Sequence, residues 1–218
     1  MLRFSSTLSD NLNIVRCTLY MICVLCAISC SKNEEEAGEY DSWQVRNQAY
    51  VDSIASLAKQ GTDGWTRTLV YYYQQEYADN NPDENNIYVY MKTLQAGTGT
   101  VKPLFSDSVR VHYRGRFIPS KSYHDGYVFG QSFTESDILS INDATAVPTL
   151  LPVSGENVAG FCQALQEMVE GDVVRIVIPY LVGYGAPSSR STIPDYSALT
   201  FDVKLAKLYK RGENLTWR

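Results

Sequence analysis

The chain has 218 residues, 44% of them hydrophobic and 20% charged, with a formal net charge of −5. That is enough for one substantial globular domain with an addition, or for two small ones. A negative balance with no Lys/Arg cluster to neutralise a run of phosphates excludes an ordinary nucleic-acid partner. The two histidines are not spaced to share a metal, and no metal or cofactor is expected.

The chain is expected to start with a leader. Arg16 precedes the apolar run "CTLYMICVLCAIS", too short to span a bilayer and suited to the central region of a signal peptide. It closes on "AISC", small residues before a cysteine, which resembles the cleavage site of a bacterial lipoprotein, with Ala27 where a leucine is usual. Residues 1–30 are therefore expected to be a signal peptide and Cys30 the lipidated first residue, a membrane anchor. A plain secretory signal or an uncleaved anchor is the alternative. The acidic residues of 31–42 read as a solvated tether; they also resemble tags that carry some lipoproteins to the outer surface. The expected location is the cell envelope, as an outer-membrane lipoprotein facing periplasm or cell surface. Cys17, Cys23 and Cys26 also belong to the leader, so Cys162 stands alone in the body and reads as a buried structural thiol.

In residues 43–86, Val51, Ile54, Ala55 and Ala58 fall at helical spacing, and Gly61 stops the helix. The following "GWTRTLVYYYQQEYADNNPDENN" carries no clear period, and its tyrosines are expected to pack against the neighbouring domain rather than to form a partner surface. From Ile87 the pattern turns to strands. "IYVYMKTLQ" is one; "SVRVHYRGRF" alternates Val109, Val111 and Tyr113 against Arg110, His112 and Arg114, which places His112 toward solvent. "GYVFGQSF" is short. Phe161, Ala164, Leu165 and Met168 form a helix closed by Gly171. "DVVRIVIPY" is a strand ended by Pro179, and "ALTFDVKLAKL" turns Leu199, Phe201, Val203 and Leu205 inward. About five strands and one helix within 87–210 predict an α+β domain, an antiparallel sheet wrapped around one short α-helix. Residues 43–86 are its N-terminal helical extension and 211–218 a tail.

Catalytic groups of the usual kinds are missing. There is no Gly-x-Ser-x-Gly elbow, no acid/base pair stands out, and His124 in "KSYHDG" reads as solvent-facing. The loop "GYGAPSSRSTIP" lacks the Lys and Thr of a phosphate loop. If the chain is an enzyme, its chemistry must need neither nucleophile nor proton shuttle.

Four segments in order, "VRVHYRGRF", "GYVFGQSF", "GFCQALQEMVEGD" and "RIVIPYLVGYGAPSSRSTIPDYSALTFDVKLAKL", resemble the FKBP-type peptidyl-prolyl cis-trans isomerases over roughly 87 to 209. The resemblance implies rotation of Xaa-Pro bonds in unfolded or exported polypeptides, or, as the alternative, a proline-binding or chaperone module with little catalysis. It implies a pocket with Tyr113 and Phe129 on its walls and Tyr184 as the hydroxyl donor. The Val158 backbone amide would meet the carbonyl beside the proline, Phe161 would floor the pocket, and Ile193 and Phe201 would close the far wall. Leu150 or Leu151 would fill a position where the family offers a phenylalanine. Two departures stand out: Gly130 replaces the usual aspartate, and Phe161 the usual tryptophan.

Overall fold

The computed structural model describes residues 38–81, 84–142, 144–154 and 158–217. The expected signal peptide, the Cys30 anchor and most of the tether lie outside the described residues. The elements are α1 (Trp43–Gln60), β1 (Trp65–Leu69), α2 (Gln75–Asn80), β2 (Tyr88–Gln95), β3 (Ser108–Arg116), β4 (Val128–Gln131), β5 (Thr149–Pro152), α3 (Ala159–Leu165), β6 (Val173–Ile178) and β7 (Leu199–Tyr209).

Every strand pairing is antiparallel, in the order β1-β2-β6-β7-β3-β4, with β5 also on β3. β3 is the hub. One edge runs along β7 for its whole length, while the other is shared: Ser108–Val111 pair with β5 and Arg114–Arg116 with β4. The apolar alternation of β3 and β7 puts Val109, Val111, Val203 and Leu205 into one core with Ala164, Leu165 and Met168 from α3 and its following turn. α3 ends at Leu165, short of the expected Met168. Beyond it the chain tightens into Glu167 N–H to Ala164 carbonyl and Met168 N–H to Leu165 carbonyl bonds, which still bury Met168.

Two strands beyond the expected five complete the sheet. β1 comes from the segment without a clear period and pairs along its length with β2. Residues 43–86 therefore share a core with 87–210, Trp43, Val51, Ile54, Trp65 and Val70 among them. α1 forms where the spacing of Val51, Ile54 and Ala55 predicts, and stops at Gly61. A left-handed φ of 63° there lets its N–H turn back to the last carbonyls. Of the tyrosine cluster only Tyr73 packs on the core; Tyr71, Tyr72 and Tyr77 are about half exposed, Tyr71 in ring contact with Tyr72 and Phe105, Tyr72 and Tyr77 each with Tyr73.

His112 does not face solvent; it is fully buried. The excursion between β4 and β5 folds back over that face of β3. Its Phe133, Ile138 and Ile141 make a second small core, and Arg114, beside His112's face, lies against Phe133 and donates to the carbonyls of Ser136 and Glu135. Alternation predicts two faces but not what covers them. Cys162 is buried, as expected of a structural thiol.

At the start of β3, Asp107 is buried and accepts hydrogen bonds from the Leu104 and Arg211 amides and the Lys210 ammonium, 2.8 Å away. Burial pushes its carboxyl up, but these donors outweigh it and hold it below the usual carboxylate range. A depressed carboxylate stabilises the fold above its unfolded pKa of about 3.9, and that share is lost as pH falls through the folded value. Asp107→Asn should therefore lower thermal stability at neutral pH, with the gap to the parent chain closing below about pH 4.

Candidate functional site

Phe201 stands at the centre of a ring cluster. Phe161 meets it edge-on at 5.1 Å, Phe129 at 5.4 Å, and Tyr113 lies tilted at 6.4 Å. Three strands and α3 bring these rings together: Tyr113 from β3, Phe129 from β4, Phe161 from the first turn of α3 and Phe201 from β7. Between them opens a cavity of about 330 Å³, lined by these four with Gly130, Leu151, Val158, Tyr184 and Arg190. Such a volume suits a small apolar group with a few polar contacts.

The rings can lie across β3 because residue 115 is glycine. Gly115 sits opposite both Gly130 and Phe201 in the register, and a Cβ there would fall 2.6 Å from Phe129 Cζ and 2.7 Å from Phe201 Cε1. Phe117 stacks on the outer side of Phe129 at 5.1 Å, and Trp43 of α1 meets Phe117 edge-on at 6.0 Å. Behind Phe201, the next residue, Asp202, points to the opposite face of β7. There it accepts Arg175 Nε at 2.7 Å, Arg175 Nη2 at 3.0 Å and Arg116 Nη1 at 3.1 Å. This carboxylate ties β3, β6 and β7 together beneath the pocket, and its hydrogen bonds raise the Arg175 pKa further.

Tyr184 follows the short 3-10 turn Tyr180–Val182, where the β6 strand has been ended by Pro179. Its loop is internally bonded: the Gly185 amide donates to the Tyr180 carbonyl and the Ser189 amide to the Tyr184 carbonyl. Trp43 Nε1 donates at 2.9 Å to Ser197 Oγ, and Asn47 Oδ1 accepts the buried Ala198 amide at 2.8 Å, so α1 holds the far stem of the same loop.

Of the residues expected from the sequence, Tyr113, Phe129, Gly130, Val158, Phe161, Tyr184 and Phe201 line the one cavity. Two do not. Leu150 lies opposite Arg110 in the β3–β5 register, and since neighbours on a strand face opposite sides, Leu151 takes the pocket wall. Ile193 turns inward to the core, 4% exposed, instead of closing the wall. Arg190 is the lining residue that the sequence did not suggest. It sits among serines in a loop that reads as solvated, and nothing local signals that its guanidinium rests over the Tyr184 ring, 5.3 Å from the centroid. His124 is exposed and outside this cavity. No group of three His, Cys, Asp or Glu among the described residues could hold a metal ion.

Residues 99–206 match the FKBP-type peptidyl-prolyl cis-trans isomerase family. This stretch covers the cavity in full, while α1, β1 and β2 lie before it. A macrophage infectivity potentiator of Trypanosoma cruzi is 35% identical over 123 residues, 56% of this chain and 54% of that protein. An FKBP-type 22 kDa peptidyl-prolyl cis-trans isomerase of Escherichia coli K12 is 31% identical over 117 residues, 54% of this chain and 48% of that one. The chain thus spans about half the length of these two relatives. The crystal structure of a peptidyl-prolyl cis-trans isomerase from Pseudomonas syringae pv. tomato shares the fold. It has a TM-score of 0.51 and 22% identity, and the match covers 77% of this chain and 96% of that one. Gly130 and Phe161, the two positions where the sequence departs from the pattern it resembles, both fall on the cavity lining.

Proposed function

We propose that this chain is a peptidyl-prolyl cis-trans isomerase, acting on Xaa-Pro bonds of unfolded or exported polypeptides. The observation that carries it is the cavity itself, walled by Tyr113, Phe129, Phe161, Tyr184 and Phe201 with no acid/base pair among its lining residues. Rotation about an Xaa-Pro bond faces a barrier of about 18–20 kcal/mol because the planar amide must lose its resonance. The twisted amide is less polar than the planar one. A water-poor aromatic pocket therefore favours it over the ground state, and a hydrogen-bond donor such as the Tyr184 hydroxyl or the Val158 amide can add to the difference. Nothing is protonated or attacked. The Escherichia coli relative, itself named a peptidyl-prolyl cis-trans isomerase, supports the same reading.

A second reading, a proline-holding module with weak turnover, is favoured by Gly130. Its place is open: a Cβ there would meet only Tyr113 Cε2, at 3.8 Å. An aspartate fits without displacing the wall. Exchange spectroscopy on a short Xaa-Pro peptide with the full-length chain separates the two. Tyr184→Phe is expected to slow turnover by about threefold to tenfold, the worth of one hydrogen bond, and Gly130→Asp to raise it. Peptide resonances that shift on binding without any faster exchange would leave the holding module.

We also propose that the chain is exported and anchored through a lipid on Cys30, as a cell-envelope lipoprotein. The leader pattern and the acidic residues after it support this. In a bacterial host, fatty-acid labelling of the chain is expected, and its loss in Cys30→Ala; equal labelling of both would end the proposal.

A further inference from the structure

We infer that Arg190 gives the pocket a preference for Xaa-Pro segments with an acidic side chain close to the proline. This rests on the proline-binding reading of the cavity. Arg190 is the charged side chain among its described lining residues; the others are aromatic, aliphatic or glycine. Among the described residues no carboxylate pairs with it. The carboxylate of its own loop, Asp195, is engaged elsewhere, accepting the Ser188 amide at 2.7 Å.

Although Arg190 is exposed, its base is fixed. Its amide donates to Ser188 Oγ at 3.2 Å, and its carbonyl accepts from Ser188 Oγ at 3.0 Å and from the Ile193 amide at 3.0 Å. The Tyr184 face then holds the guanidinium by cation–π attraction. A guanidinium lying against a ring keeps its N–H edges for an acceptor, and its planar fork matches a carboxylate. Beside low-dielectric aromatic walls, that pairing is stronger than on open surface. An extended chain advances about 3.5 Å per residue, so an acidic group within about two residues of the proline falls within reach. The chain as a whole is negative, at −5, so the attraction is local to this rim and acts on the flanking residue rather than on the client's total charge.

The test uses the full-length chain and peptides that differ only in carrying Glu, Gln or Lys at each of the two positions before and after the proline. Exchange rates and shift titrations by NMR are expected to favour Glu over Gln by about threefold to fivefold at one or more of these positions, with Lys lowest. Arg190→Lys should keep the order, Arg190→Ala should flatten it and Arg190→Glu should invert it. Salt at about 0.5 M should compress the differences. Equal handling of Glu and Lys peptides by the parent chain overturns the inference while leaving the pocket intact, as does an unchanged preference in Arg190→Glu. If no peptide binds or exchanges faster, the proline-binding reading falls, and this inference falls with it.

Discussion

Gly115→Ala is expected to lose proline-peptide binding and turnover by more than about tenfold while the chain stays folded. The added methyl would occupy space now held by the edges of Phe129 and Phe201, 2.6 and 2.7 Å away. Phe129 is backed by Phe117, and Phe201 is hemmed by Phe161 and Tyr113, so the open direction for both rings is the cavity. Moving them there fills the space a prolyl ring would need. The stability cost of such overpacking is about 1–3 kcal/mol, and it stays at the low end when ring edges can yield. Peptide titration beside a thermal melt distinguishes the two effects. Parent-like binding in a folded Gly115→Ala chain would mean that these rings do not shape the pocket.

Trp43→Ala is expected to cost about 3–5 kcal/mol of stability, as loss of a large buried aromatic does. Trp43 fills the junction between α1, Phe117 and the loop stem at Ser197. Asn47→Ala is smaller in volume but leaves the buried Ala198 amide without its acceptor, a loss of about 1–3 kcal/mol. Denaturant unfolding measures both. Peptide affinity should fall in Trp43→Ala as well, because Phe117, on which Phe129 stacks, loses its support. Unfolding midpoints equal to the parent's would show that α1 is a passenger on the domain.

Much of this was legible in the residues. β2, β3, β6 and β7 announce themselves by alternation or by apolar β-branched runs, and the rings that line the cavity come from those strands and their neighbours. β1, "WTRTL", did not: only Trp65 is fully buried, so no period of two stands out. β5, "TLLP", has four half-buried residues after a proline, too few to set a face, and the choice between Leu150 and Leu151 needed the pairing with Val109 and Arg110. His112 looked outward because its cover arrives from a segment more than twenty residues downstream. Arg190 was hidden for a related reason. Its value to the site lies in a ring six residues earlier that a loop must fold back to meet, and local composition carries no trace of that.

The strand order has a consequence for when this domain can exist. β7 is the last strand of this sheet in chain order, yet it lies inside the sheet, between β6 and β3. Until it arrives, β3 lacks its full-length partner, and the pocket lacks Phe201 at its centre. Pairings this distant in sequence close slowly and late. Closure of the sheet therefore waits for residues 199–209, however early its other strands are made. The site and the sheet are thus completed in one step, because the strand that closes the sheet also carries the central ring of the pocket.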